Sequence, residues 1–152
     1  MAQLYSVRSP DSWGIGDTAD LKELCSTFGA LGGDFVLINP LHAAELVGHM
    51  TPSPYLPVTR RFFNPIYIRP EDIREVAYMP PEQRALVAWA GEEPKAASLR
   101  NEIIDRDAYW EKKRQALEVI FRVPRSLARQ RDFQSFRNGE GQGLEDFAFW
   151  CA

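Results

Sequence analysis

The fold of this chain is decided by residues 17–39, which read DTADLKELCSTFGALGGDFVLIN. Asp17 precedes the first apolar positions and Asp20 follows three residues later, so we predict a helix capped at Asp17 with acidic charge in its first turn. Apolar residues then recur at the spacing of a helix that packs on a core, and they are Leu21, Leu24, Cys25, Phe28 and Leu31. The Gly32-Gly33 pair predicts the end of the helix.

Strands are predicted on both sides of this helix. Residues 34–39 contain a continuous apolar run, which is typical of a strand buried on both faces. Residues 3–7 are short and partly apolar, and they predict an earlier strand. Strand, helix and buried strand in this order predict a parallel sheet with a right-handed connection. After a long proline-rich stretch, residues 66–68 predict a third short strand.

Beyond Pro70 the pattern is helical. Pro70 and Pro81 are each placed to begin a helix, because proline is favoured in the first turn and acidic residues follow both. Further helices are predicted over residues 105–122, 126–137 and 144–152. The side chains predicted to form the buried stripes of the three helical segments between Pro70 and residue 122 are Ile73, Val76, Ala77, Leu86, Trp89, Ala90, Tyr109, Leu117, Ile120 and Phe121.

These elements place the chain in the α/β class. It opens like an α/β barrel or a doubly wound sheet and continues into inserted helices. Three strands cannot close a (β/α)₈ barrel, which needs eight strands and typically about 250 residues. The chain is therefore either a small complete α/β domain or a fragment of a larger fold. The last helical pattern has no cap, glycine or proline after it, which favours the fragment.

Composition narrows the class of protein. The 152 residues include 18 basic and 21 acidic side chains, for a formal charge of -3, and 45% of them are hydrophobic. These values indicate a globular protein and argue against both a disordered tail and a dedicated nucleic-acid binder. Cys25 and Cys151 form no metal or disulfide pattern, the N-terminus has no secretory signal, and no apolar run approaches a membrane span. We therefore expect a cytoplasmic protein without a membrane partner.

A glycine motif raises the possibility of nucleotide binding. Gly14, Gly16 and Ala19 match the G-x-G-x-x-A dinucleotide fingerprint between a predicted strand and a helix. Six residues separate the strand from the first glycine, whereas the fingerprint glycines normally follow the strand directly. The second strand also ends at Asn39 rather than at an acid that could bind ribose. A nucleotide-binding α/β domain therefore remains only an alternative.

The two histidines give a weak signal for metal. His42 and His49 have six residues between them in a loop with no cysteine pair nearby, so hydrogen-bonded loop histidines are the simpler interpretation. His42 also follows the second predicted strand directly. Because ligands bind at the carboxyl ends of strands in α/β folds, a contact role for His42 is a reasonable hypothesis.

The proline-rich stretch offers a candidate sugar contact at Tyr55. Prolines at 52, 54 and 57 restrict the backbone, so the Tyr55 ring can be held in place at low entropic cost. An apolar face with a polar tip suits a sugar ring. The alternative is that Tyr55 packs under the loop, and the residues alone do not decide between the two.

Several segments together resemble the 4-alpha-glucanotransferases, also called amylomaltases or disproportionating enzymes. The matching blocks are Gln3-Leu4-Tyr5-Ser6-Val7-Arg8-Ser9, Trp13-Gly14-Ile15-Gly16-Asp17, Asn39-Pro40-Leu41-His42-Ala43, Ser53-Pro54-Tyr55, Arg60-Arg61, Asn64-Pro65 and Gly143-Leu144-Glu145-Asp146-Phe147. They occur in the order and spacing of the family.

The resemblance implies a (β/α)₈ barrel with helical insertions. It divides the chain into the first barrel units at 1–69 with a substrate loop at 40–65, a helical insertion at 70–143, and the start of the next barrel helix at 144–152. It implies transfer of an α-1,4-glucan segment to the 4-hydroxyl of another glucan or glucose, with retention and without a cofactor. It further implies that Tyr55 stacks on the glucose beside the scissile bond, with Ser53, His42 and Asn64 shaping that subsite.

The resemblance also implies what this chain lacks. Retaining chemistry needs two carboxyl groups about 5–5.5 Å apart, and in this family they lie on later barrel strands. Asp11, Asp17 and Asp34 fall at structural positions, so we assign no catalytic residue and no metal ligand. The expected partners are a maltooligosaccharide or starch-like glucan and the remainder of the barrel. The alternative from another class is a stand-alone carbohydrate-binding or interaction module without catalysis.

Overall fold

The computed structural model describes residues 1–100 and 103–151 and is helix-rich. Its helices are α1 (Thr18–Ala30), α2 (Pro81–Ser98), α3 (Arg106–Phe121), α4 (Leu127–Glu140) and α5 (Gln142–Trp150). Its strands are β1 (His42–Ala43) and β2 (Thr59–Phe63), and its 3₁₀ turns are Leu4–Ser6, Pro65–Tyr67, Pro70–Asp72 and Arg74–Tyr78. Ala152, at the end of the last predicted helix, lies outside the described residues.

The predicted helix α1 and its cap are confirmed. The Asp17 side chain accepts hydrogen bonds from the backbone N–H groups of Ala19 and Asp20, while the Asp20 side chain accepts from the Asp17 N–H, which completes a capping box. The helix ends before Gly32, whose φ of 86° is a conformation that favours glycine. Helix α1 is therefore specified by its own sequence.

The predicted buried face of α1 is only partly correct. Leu21 and Leu24 are half-buried, but Cys25, Phe28 and Leu31 are exposed. Nothing in the described part of the chain covers the outer half of the stripe. The helical period was predicted correctly, but the outer half of the apolar stripe has no neighbouring element to pack against in the described residues.

The three predicted strands do not form as strands. Residues 4–6 make a 3₁₀ turn, and residues 34–39 contribute one parallel bridge, between Ala2 and Ile38. The Leu4 N–H donates to the side chain of Asn39 at 2.6 Å instead of to a neighbouring strand. The segment expected to be buried on both faces leaves Phe35 83% exposed. The parallel direction was right, but one bridge between two short segments does not make a sheet.

The third predicted strand, at 66–68, is also wrong. Pro65 has no N–H to give to a ladder, and the side chain of Asn64 accepts from the Ile66 N–H at 3.1 Å. These two residues begin the 3₁₀ turn Pro65–Tyr67 in its place. The sheet in the described residues is instead the antiparallel pair of β1 and β2, inside the segment 40–65 that was expected to be a loop.

The helices downstream of Pro70 match their prediction in position more closely than in buried face. Helix α2 begins at Pro81, and α3 and α4 are capped by the side chains of Asp105 and Ser126. In α2 the buried positions include Val87 and Ala90, whereas the predicted Leu86 and Trp89 are exposed. Ala77 and Phe121 are likewise exposed rather than buried. The stripe on α2 was shifted by one residue because Gly91 and Pro94, also buried, carry no strong apolar signal.

Two apolar clusters hold the chain together. The first joins the early part of the chain to the helices, and it contains Trp13, Met79, Val87, Ala90, Ala116, Ile120 and Val123. The second lies under residues 41–67 and contains Leu4, Ile15, Met50, Ile66 and Tyr67. Trp13 is fully buried, and its indole N–H donates to the Glu71 carboxylate at 3.1 Å. No helix in the described residues is long and apolar enough to cross a membrane.

The glycines of the fingerprint motif are used for close packing. Gly14 has a φ of 73°, and a Cβ built on it would lie 2.4 Å from the Tyr109 ring. A Cβ on Gly16 would lie 2.0 Å from the backbone oxygen of Leu4. The Tyr109 ring and the Leu4 carbonyl lie where a side chain would begin at these two positions, so close packing accounts for both glycines.

A charged cluster fixes the start of α1 to the segment that follows the Pro65–Tyr67 turn. The Arg69 guanidinium donates to Asp17 and to Asp20, each at 2.8 Å, and both carboxylates are almost fully buried. Ser9 and Ser12 donate their hydroxyls to Asp20 at 2.6 and 2.7 Å. Burial opposes ionisation of Asp20, but these hydrogen bonds and Arg69 outweigh it and lower the pKa of Asp20.

Replacing Arg69 tests how much this cluster contributes to the free energy of unfolding. We expect Arg69→Met to lower the free energy of unfolding by about 3 kcal/mol, because two buried carboxylates lose their counter-charge. Arg114→Met is the matched control, since its pairs with Glu111 and Glu118 are exposed and worth about 1 kcal/mol at most. Urea denaturation of both variants measures the difference. Equal losses would show that the buried cluster is not a main source of stability.

Gly14 gives a second test of the packing. Gly14→Ala adds both backbone strain and a clash with Tyr109, so we expect a loss of about 3 kcal/mol. Gly32→Ala adds strain alone, because Gly32 has a similar φ but faces open space, and should cost about 1 kcal/mol. Thermal melting of the pair separates the two effects. A Gly14→Ala variant as stable as Gly32→Ala would contradict the clash.

Candidate functional site

The proline-rich stretch is closed by the β1–β2 hairpin. His42 pairs with Phe63 and Ala43 pairs with Thr59, so the register shifts between the two positions. Backbone hydrogen bonds from Asn64 to Leu41 and from Val58 to Ala43, at 2.9 and 3.0 Å, close the two ends. Residues 44–58 therefore form one loop on a paired base. Sequence reasoning missed this base because β1 is only two residues long.

Tyr55 lies on the outside of this loop. The residue is 50% exposed, so the structure does not bury it under the loop. Its hydroxyl lies 3.2 Å from the Gln3 side-chain nitrogen, and its backbone N–H makes a long contact of 3.4 Å to the Ser53 hydroxyl. The ring thus has an apolar face open to solvent and a polar tip turned toward the N-terminal segment.

Three of the four predicted contact residues line one small cavity. His42, Ser53 and Asn64 share it with Tyr67 and Arg106, among others, and its volume is about 20 Å³. A space of this size holds about one water molecule and cannot take a sugar ring. Tyr55 does not line the cavity. The exposed Tyr55 and the cavity are therefore two separate features of this loop.

Asn64 already has a structural task. It is 5% exposed, and its side-chain oxygen accepts from the Ile66 N–H, which caps the Pro65–Tyr67 turn. The amide group that would face a sugar is therefore partly committed to the backbone. We interpret Asn64 first as a residue that shapes the cavity wall.

Asn39 is a comparable residue that sequence reasoning did not single out as part of the site. It is buried, accepts from the Leu4 N–H, and donates to the Tyr67 hydroxyl at 3.3 Å. Burial raises the pKa of Tyr67. The available signal was the repeated Asn-Pro pair at 39–40 and 64–65, since asparagine before proline marks turns that side chains stabilise.

The two histidines have different surroundings. His42 lines the cavity, whereas His49 is 79% exposed and pairs with Asp107 at 2.5 Å. Asp107 also accepts from the Met50 N–H, and this bond together with His49 lowers the pKa of Asp107. His49 therefore ties the loop to the first turn of α3.

The three acids to which the resemblance assigns structural positions differ in their surroundings. Asp17 caps α1 and binds Arg69 from a fully buried position. Asp11 and Asp34 lie on the exposed surface, away from the cavity lining. Asp20 is saturated by two serine hydroxyls, one backbone N–H and Arg69. None of these four carboxylates lines the cavity of His42, Ser53 and Asn64.

This arrangement corresponds to one part of a carbohydrate-active enzyme fold. The crystal structure of amylomaltase from Corynebacterium glutamicum matches with a TM-score of 0.93 and 50% sequence identity, covering 99% of this chain and 21% of that chain. The model of the glycoside hydrolase 77 family, described as 4-alpha-glucanotransferase, matches residues 2–152. The chain belongs to this family, and the resemblance drawn from its motifs is confirmed.

Curated relatives agree with this assignment. A 4-alpha-glucanotransferase of Mycobacterium tuberculosis (strain H37Rv) is 47% identical over 157 residues, covering 99% of this chain and 21% of the relative. A 4-alpha-glucanotransferase of Haemophilus influenzae is 36% identical over 123 residues, covering 78% of this chain and 17% of the relative. The chain spans about a fifth of the length of the relatives it matches.

Proposed function

We propose that this chain is part of a 4-alpha-glucanotransferase, which moves a segment of an α-1,4-glucan to the 4-hydroxyl of an acceptor glucan or glucose with retention. The observation that carries the proposal is the family match over residues 2–152. Identity of 47% to named 4-alpha-glucanotransferases over 99% of the chain supports it. The proposed substrate is a maltooligosaccharide or a starch-like glucan.

Within that enzyme, the chain supplies the first units of a (β/α)₈ barrel. Residues 1–69 are the barrel part with the substrate loop, residues 70–143 are a helical insertion, and residues 144–152 begin the next barrel helix. The exposed apolar side chains of α1 and of the segment after it support this, since such a surface calls for a cover. The remainder of the barrel is the proposed cover, and the parallel bridge at Ile38 is consistent with a strand that gains its neighbours there.

The bond-breaking carboxylates come from the remainder of the enzyme. Retention requires a nucleophile and an acid/base about 5–5.5 Å apart and open to the substrate. Asp17 and Asp20 are close together, but both are buried and hydrogen-bonded within the protein. This supports a structural role for them and a binding role, without catalysis, for the chain described.

The binding role belongs to the loop. We assign the glucose contact to the exposed face of Tyr55, because an aromatic face matches the C–H face of a sugar. Ser53, His42 and Asn64 shape the subsite from beneath through the shared cavity.

The reaction needs no organic cofactor or metal. Cys25 and Cys151 are unpaired thiols, which supports a reducing, cytoplasmic location.

Substituting Tyr55 in the full-length enzyme tests this assignment. We expect Tyr55→Ala to lower kcat/KM for maltotriose disproportionation about tenfold or more, because an exposed face worth about 1–3 kcal/mol to the sugar is lost. Tyr78→Ala is a matched control, since Tyr78 is 51% exposed but lies in the helical part. The rate of glucose release from maltotriose measures the activity of both variants. If the two variants had the same kcat/KM, the assignment of Tyr55 to the subsite would be wrong.

The second test uses residues 1–152 alone. Because the two carboxylates are missing, we expect no glucose release from maltotriose above the blank, while the full-length enzyme is active under the same conditions. Measurable transfer by the isolated chain would overturn the assignment of the carboxylates. Calorimetric binding of maltooligosaccharides by the chain, without activity in the full-length protein, would favour a binding module instead.

A further inference from the structure

Lys113 is the one fully buried lysine among the residues that the structure describes. Its side chain, on α3, is 0% exposed, and its ammonium donates to the backbone oxygen of Ile66 at 2.6 Å. A buried cation is costly unless it is compensated, so its position calls for an explanation. The family assignment and the sequence motifs do not provide one.

Four charged side chains on three segments act electrostatically on this ammonium. Asp17 and Asp20 lie at the start of α1, Arg69 follows the Pro65–Tyr67 turn, and Glu71 lies in the next 3₁₀ turn. Burial lowers the pKa of Lys113 to about 8, and the fields of Asp17 and Glu71 oppose that effect. The acids therefore keep the ammonium charged at neutral pH, while the ammonium donates its hydrogen bond to the Ile66 oxygen.

The bond to Ile66 is the first of a series that ends at the cavity. The Ile66 N–H donates to the Asn64 side chain at 3.1 Å, and the Asn64 N–H donates to the Leu41 oxygen at 2.9 Å. Leu41 directly precedes His42. Lys113 thus holds the Pro65–Tyr67 turn at Ile66, and Asn64 and Tyr67 of this turn line the cavity together with Ser53.

We propose that Lys113 is a positioning residue for the glucan subsite, acting through the Ile66 carbonyl on the turn that supports the Tyr55 loop. The inference rests on the proposed function. It assigns Lys113 no contact with the glucan. Its role is to fix the cavity wall. A small displacement of groups that position a substrate can lower the rate of a reaction strongly.

The activity test compares two neighbouring lysines in the full-length enzyme. Lys113→Met keeps the length and burial of the side chain and removes the donor, so we expect kcat/KM for maltotriose to fall about tenfold at about pH 6.5. Lys112→Met is the control, because Lys112 lies over the Trp89 ring away from the cavity, and should stay within about twofold of the wild type.

The pH dependence distinguishes positioning from general support. Above about pH 9 the wild-type lysine is mainly neutral and donates a weaker bond, so the wild type should lose activity toward the level of Lys113→Met. The ratio of wild type to variant should therefore narrow from about tenfold to about twofold. A variant within twofold of the wild type at about pH 6.5, or a ratio that does not change with pH, would overturn the proposal.

Hydrogen exchange on the wild-type enzyme decides the matter if Lys113→Met does not fold. After correction for intrinsic rates, the amides of Ile66 and Tyr67 should lose protection between about pH 6.5 and 9.5, while those of α4 should not. Unchanged protection at Ile66 and Tyr67 would overturn the role of Lys113. Because exchange requires no catalysis, a wild-type enzyme without transfer activity would defeat the proposed function and leave this test intact.

Discussion

The ion pairs of Arg69 with Asp17 and Asp20 hold together the part of the molecule on which the rest depends. Asp17 and Asp20 cap α1, Ser9 and Ser12 bring the N-terminal segment to the same point, and Arg69 fixes the chain just after the Asn64 turn. Two carboxylates in an apolar setting need a counter-charge and several donors, and they receive both. The candidate subsite is therefore built on a rigid polar joint rather than on a continuous sheet.

What the sequence could predict follows from the range of the forces involved. Helix α1 with its Asp17 cap, helix α2 beginning at Pro81 and helix α4 capped by Ser126 are set by neighbours within a few residues, and they were predicted correctly. The segment at 34–39 was expected to be a strand, yet a strand needs partners distant in sequence. With one bridge to Ala2, its β-forming residues have no ladder to join.

The same reasoning applies to the site. The sequence indicated Tyr55 and the loop, because prolines and aromatic residues are visible locally. It could not indicate that His42, Ser53 and Asn64 share a cavity too small for a sugar, since this depends on how the hairpin closes. Lys113 was hidden for another reason. In the sequence it is one of two adjacent lysines on a charged helix, and only packing distinguishes the buried one.

The uncovered outer face of α1 has a consequence for biosynthesis. In the proposed barrel, Phe28, Leu31 and Phe35 leave the ribosome long before the elements that cover them. The cluster around Trp13 can form as soon as α3 has emerged. The nascent chain would therefore pass through an intermediate in which this cluster is packed while the outer face of α1 still exposes apolar side chains. Chaperones that bind short apolar segments would find their target at this helix.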